Sequence, residues 1–237
     1  MIVMQPVLES RSPDGFGLWP VTGTGPSGFL PLNGGLSPAE VGTAVMCVAG
    51  CNDIDPDGDR PPRPAGALDS FLHGLLTFDT LFAAGGLRVV DDSTGVVFLP
   101  GCCDGLEDRR DWYRLVDGDG ADGVLLGFGH TPVSPVAERI GDVVRLTVDS
   151  ELSDSPVIES SVAGIRRLLA GVERDLAGFL LLAADWASGH LPGRAAPVVA
   201  ALARVLDLPA PPVPTRPWRA RRGRPSGYVP QCRGGPE

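Results

Sequence analysis

Val162, Ile165, Leu169, Val172, Leu176, Phe179, Ala183 and Trp186 follow one another in alternating steps of three and four residues. Steps of that size return to one side of an α-helix, so the spacing predicts a long helix carrying an unbroken apolar face. Such a face must be covered. Leu168, Leu180 and Leu182 widen it beyond the narrow seam of a two-stranded coiled coil, which favours packing on a sheet of the same chain over pairing with a second copy. Gly171 and Gly178 weaken the helix only modestly.

The sheet should come from the preceding residues. Pro6, Pro13, Pro20, Pro26 and Pro31 exclude a helix before Leu36 and leave short extended pieces. Ser37-Pro38-Ala39-Glu40 then opens a helix to about Ala49, with Ser as N-cap, Pro in the first turn and Glu closing the box, although Thr43, Val45 and Val48 would also suit a strand. Leu68, Phe71, Leu72, Leu75 and Leu76 mark one face of a second helix. Leu87–Val90 and Val96–Leu99 flank a turn at 91–95 and form a hairpin. Asp104 with Glu107 predicts another capping box, opening a helix through Val116. Val124–Phe128 reads as a strand, and Glu138–Ile140 with Val143–Val148 as a hairpin about Gly141-Asp142. A polar link leads to the long helix, and a last helix runs from about Arg194 to Asp207. The expected class is α+β: a small, mainly antiparallel sheet of two hairpins covered by helices. One domain spans 1–208, and Pro209-Ala210-Pro211-Pro212 begins a disordered Pro/Arg-rich tail over 209–237.

All 20 basic residues are arginine. With no lysine, the chain can supply neither a phosphate-loop lysine nor a Schiff base nor a Ser-Lys dyad. Up to Leu208 there are 28 acids against 14 arginines, a charge of −14; beyond it, six arginines against Glu237 give +5. An acidic body repels nucleic acid and anionic membrane, so contact with nucleic acid could come only through the tail, where Trp218 and Tyr228 could stack on bases. No secretory leader or membrane-length apolar run is present, which points to the cytoplasm by elimination. Five cysteines, two of them adjacent, fit reduced thiols.

The motifs are incomplete. Gly23-Thr24-Gly25-Pro26-Ser27-Gly28 spells G-x-G-x-x-G, but no helix can follow it, so it reads as a turn. Asp53, Asp55 and Asp57 open like a calcium loop, yet Pro64 stands where the bidentate glutamate belongs. They are weak metal candidates at most. The most unusual segment places Cys102 and Cys103 between a strand end and a helix start, with Asp104, Glu107 and Trp112 following. A helix N-terminus favours a thiolate, and Asp104, Glu107 and Asp108 oppose one. His130 could face this junction and add a zinc ligand, although no CxxC pair exists. Packing is the plainer reading for these cysteines, as for His73 on its helix and His190 in a loop.

Leu99-Pro100-Gly101-Cys102-Cys103-Asp104-Gly105-Leu106-Glu107, Gly129-His130-Thr131-Pro132 and Gly141-Asp142-Val143-Val144-Arg145-Leu146 together resemble a group of uncharacterised actinobacterial proteins with the same succession of blocks. That resemblance spans about Leu87 to Trp186 and implies no activity. Trp19-Pro20 followed by Asn33-Gly34-Gly35 is similar to the SUKH immunity superfamily, although Gly23, Gly25 and Pro26 exclude the helix that joins those parts there. The expectation is therefore a non-enzymatic protein-binding module of regulatory or immunity type, with no cofactor, using an acidic face to recognise a protein partner. The alternative is a metal- or thiol-dependent enzyme centred on Cys102, Cys103 and His130. Nothing in the sequence fixes an oligomeric state.

Overall fold

The computed structural model describes residues 1–10, 12–23, 28–55, 61–101, 103–118, 125–128 and 133–214. Two four-stranded antiparallel sheets share one long helix, in an α+β arrangement. In the first sheet β1 (Ile2–Glu9) and β3 (Gly85–Asp91) lie at the centre, flanked by β2 (Phe29–Pro31) and β4 (Val96–Phe98). The extended pieces expected before Leu36 thus include a continuous eight-residue strand, and it contains a proline. Pro6 is tolerated because its carbonyl accepts Leu32 N–H (2.8 Å), one residue past the last pair of β2. N and O of one residue point the same way, so the missing donor removes a single bond at the end of β2 and none from the β3 ladder.

Helix α1 (Pro38–Cys51) begins as its sequence predicts: Ser37 Oγ accepts Glu40 N–H and Glu40 Oε2 accepts Ser37 N–H (2.7 Å). Residues 41–49 are all buried, so α1 is a core helix rather than an amphipathic one. The Leu68–Leu76 face belongs to two short helices, α2 (Ala67–Phe71) and α3 (His73–Thr77), separated at Leu72. At the end of β3, Asp91 accepts from Ser93 Oγ (2.6 Å), Ser93 N–H (3.0 Å) and Thr94 Oγ1 (3.0 Å), which holds its carboxyl below the ordinary range.

The predicted box on Asp104 sits one residue later. A 3-10 turn (Leu106–Asp108) leads into α4 (Arg109–Asp117), and Asp108 Oδ2 accepts Gly105 N–H (3.0 Å). Asp104 instead turns back to Gly101 N–H (2.7 Å).

The second sheet runs β5 (Leu125–Gly127), β6 (Val136–Ile140), β7 (Val143–Thr147), β8 (Val157–Ser161). Gly141 takes φ 60 in the two-residue turn joining β6 and β7. Strand β8 lies where the sequence suggested only a polar link. The inner face buries Ala137, Val144, Leu146 and Ile158, and Arg139 on that face reaches the carbonyls of Val116 (3.2 Å) and Gly118 (2.8 Å). A cation on the last carbonyls of α4 opposes the negative end of the helix.

Helix α5 (Val162–His190) ties the two sheets together. Every residue of the stripe from Val162 to Trp186 is buried, against β1, α1, α4, α6 (Ala195–Val205), β7 and β8 of the same chain. Gly178 meets Gly34 backbone to backbone, so that a Cβ on Gly178 would sit 3.0 Å from Gly34 Cα. Beyond α6 the chain stays on the body to Val213, which packs against the core. The arginine-rich stretch 215–237 lies outside the described residues. No helix among those described is long and apolar enough to cross a membrane.

Candidate binding surface

The junction after β4 is mostly interior. Trp112 is 2% exposed, stacks on Phe128 at 5.1 Å, and meets Phe98 edge-on at 6.2 Å. Glu107 turns inward toward Ala83 N–H (3.4 Å), and burial pushes its carboxyl above the usual range. The crevice between Pro100, Asp104, Trp112 and Phe128 has a volume of about 10 Å³, room for about one water. Cys103 is exposed, while Cys102 and His130 lie outside the described residues. Asp104, Glu107 and Trp112 therefore stand together at the junction as carboxylates that bind backbone N–H groups and an indole in the core.

Asp53 and Asp55 are held by a cation already present. Arg63 pairs with Asp53 and lies 3.4 Å from Asp55; Asp57 is outside the described residues. Among the described residues no three His, Cys, Asp or Glu side chains gather as a metal site would require. His73 Nε2 is 2.9 Å from Pro61 O, and His190 stacks on Trp186 at 4.8 Å. Both are accounted for by packing.

The surface that stands out is the outer face of the second sheet. Of ten large hydrophobic side chains exposed among the described residues, six belong to this sheet and its loops: Leu125, Val133, Ile140, Val143, Leu152 and Val157. Strand register arranges the outward positions in rows. Ile140, Val143 and Ser161 form one; Leu125, Glu138, Arg145 and Glu159 the next; Gly127, Val136, Thr147 and Val157 the third. Past the third row the loops bearing Val133 and Leu152 are tied together, Ser150 N–H donating to Ser134 O (2.9 Å). In the middle row Arg145 Nε donates to Glu159 Oε1 (2.9 Å) from one side and faces Glu138 on the other.

Exposed apolar side chains grouped on one face are uncommon on a protein that works without partners, whereas single ones are ordinary. A signal for this face does exist in the sequence. Strand residues alternate between faces, so the doublets Val143-Val144 and Val157-Ile158 must put one apolar residue outside for each one inside. The chain matches no protein-family profile, no curated protein sequence and no solved structure.

Proposed function

We propose that this chain is a non-enzymatic protein-binding module that engages its partner through the outer face of the second sheet. The exposed apolar side chains of Leu125, Ile140, Val143 and Val157 on that face, with Val133 and Leu152 on the loops at its edge, carry the reading. Apolar residues would form the centre of the contact and the Glu138–Arg145–Glu159 row its polar register. Two carboxylates to one guanidinium, on a body of charge −14, favour a partner that presents basic groups at this row. Specificity would reside in that row, because apolar contact alone discriminates weakly.

The test is site-directed photocrosslinking in the native host, with a benzophenone side chain replacing Val143 on the face and, as control, Ala200 on the exposed side of α6. A discrete adduct at Val143, lost when Val157→Asp is added and absent at Ala200, is expected. Equal adducts at both positions would dismiss the face as the binding surface. An adduct with the mass of two copies of this chain would replace a foreign partner with a second copy.

A further inference from the structure

A concavity lies between the loop at 12–16, the end of α1 and the end of α2. It has a volume of about 330 Å³, within the range of small-ligand sites. Phe16 and Phe71, packed edge to face with ring centroids 5.4 Å apart at 62°, form part of its wall, and Met46 also lines it. Trp19 backs both rings, at 4.9 Å from Phe16 and 5.9 Å from Phe71. Asp14 and Asp53 also line it.

We propose that this groove binds a cationic group carried on an apolar stem, a guanidinium or an alkylammonium, seated against the paired phenyl rings and beside the two carboxylates. Aromatic faces attract a cation through their negative quadrupole, and a flat guanidinium can stack on them as an ammonium cannot. Both carboxylates are tethered by neighbours. Ser12 Oγ donates to Asp14 Oδ2 (2.7 Å), and Arg63 engages Asp53 through Oδ1 while also donating to Ile54 O (2.8 Å) and Ser70 O (3.2 Å). Arg63 offsets one of the two negative charges, and among the described residues no basic side chain lines the groove itself. Its described walls thus combine apolar area with carboxylates, the complement of a cation on a hydrocarbon chain. This site is independent of the sheet face and stands whether or not that face binds a protein.

The probes are butylguanidinium, butylammonium and the neutral isostere butylurea, titrated into the full-length ¹⁵N-labelled protein. Saturable shifts centred on the amides of Gly15, Phe16, Gly50 and Asp53 are expected for at least one cation, with butylurea binding at least tenfold more weakly. Asp14→Asn, at an exposed position that leaves the fold intact, should weaken the cation at least fivefold and butylurea not at all. Phe71→Leu should weaken the cation while spectral dispersion is retained. Equal binding of butylurea and both cations would reduce the groove to an apolar dent and overturn the proposal. So would shifts that map elsewhere, or cation binding indifferent to Asp14→Asn. Tighter binding of guanidinium would assign the site to arginine-like groups, and tighter binding of ammonium to lysine-like ones.

Discussion

Arg109 holds Glu173 at two points across the α4–α5 contact, Nε to Oε1 at 3.0 Å and Nη2 to Oε2 at 3.3 Å. The arginine side chain is wholly buried and also donates to Leu106 O (3.2 Å) and Asp207 O (3.4 Å), so it fastens two helices and the end of α6 around one charge. Tyr113 OH lies 3.4 Å from the same carboxylate, and burial together with that negative charge pushes its phenol above the ordinary value. Removing the carboxylate strands a buried cation, whereas removing both partners does not. Glu173→Ala is expected to lose about 3 kcal/mol and the double variant Arg109→Met, Glu173→Met distinctly less. Urea unfolding of the three proteins measures both, and a double variant as unstable as Glu173→Ala would contradict it.

The α5 stripe offers a sharper contrast. Leu176 is fully buried and Leu181, five residues on, is 61% exposed. Leu176→Asp places an unpaired charge in the core and is expected to cost about 4 kcal/mol, a large part of a domain's total stability. Leu181→Asp should stay within about 0.5 kcal/mol of the parent. Melting temperatures of the pair check this directly.

Two glycines in α5 should respond with opposite signs to the same substitution. A Cβ on Gly171 would meet only the end of Arg174, at 3.8 Å. Gly171→Ala is therefore expected to stabilise by about 0.5–1 kcal/mol through helix propensity. On Gly178 the Cβ would press on Gly34 backbone at 3.0 Å, in a turn that cannot retreat as a side chain can. Gly178→Ala should lower the melting temperature, and a rise there would show that the turn yields.

Glu107 should leave a mark on the pH dependence of stability. Its burial raises the folded-state pKa above the unfolded value of about 4.3, so the folded protein binds the proton more tightly than the unfolded chain does. Stability contributed by the protonated form is full below the unfolded pKa and is lost as pH rises through the folded one. Glu107→Gln keeps an acceptor for Ala83 N–H but removes the titration. The variant should gain on the wild type across that window and hold a constant advantage above it, read as the difference in urea midpoint against pH.

Periodicity and capping made much of this architecture legible. The α5 stripe, the Ser37–Glu40 box and the hairpin about Gly141 each state their geometry in local residue order. What local order does not state is which of two faces a neighbouring element covers. Val143 and Val144 are chemically identical, and only the placement of α5 makes one interior and the other exterior. Strand β8 escaped because Glu159-Ser160-Ser161 carries no apolar alternation; it is a strand because its backbone pairs with β7. The Asp104 box failed by one residue because Asp104 had a nearer donor in Gly101. Of the junction residues, Trp112 was legible as important but its importance is volume in the core.

The order of synthesis gives the long helix a further significance. All four strands of the first sheet are complete once Phe98 has been made, yet the helix that packs on β1 begins 64 residues later, at Val162. At about 5–20 residues per second, that interval is roughly 3 to 13 s, far longer than a hairpin takes to close. A nascent chain therefore spends seconds with β1 lacking the cover that α5 gives it. During that time the apolar strip that α5 will cover is open to other contacts.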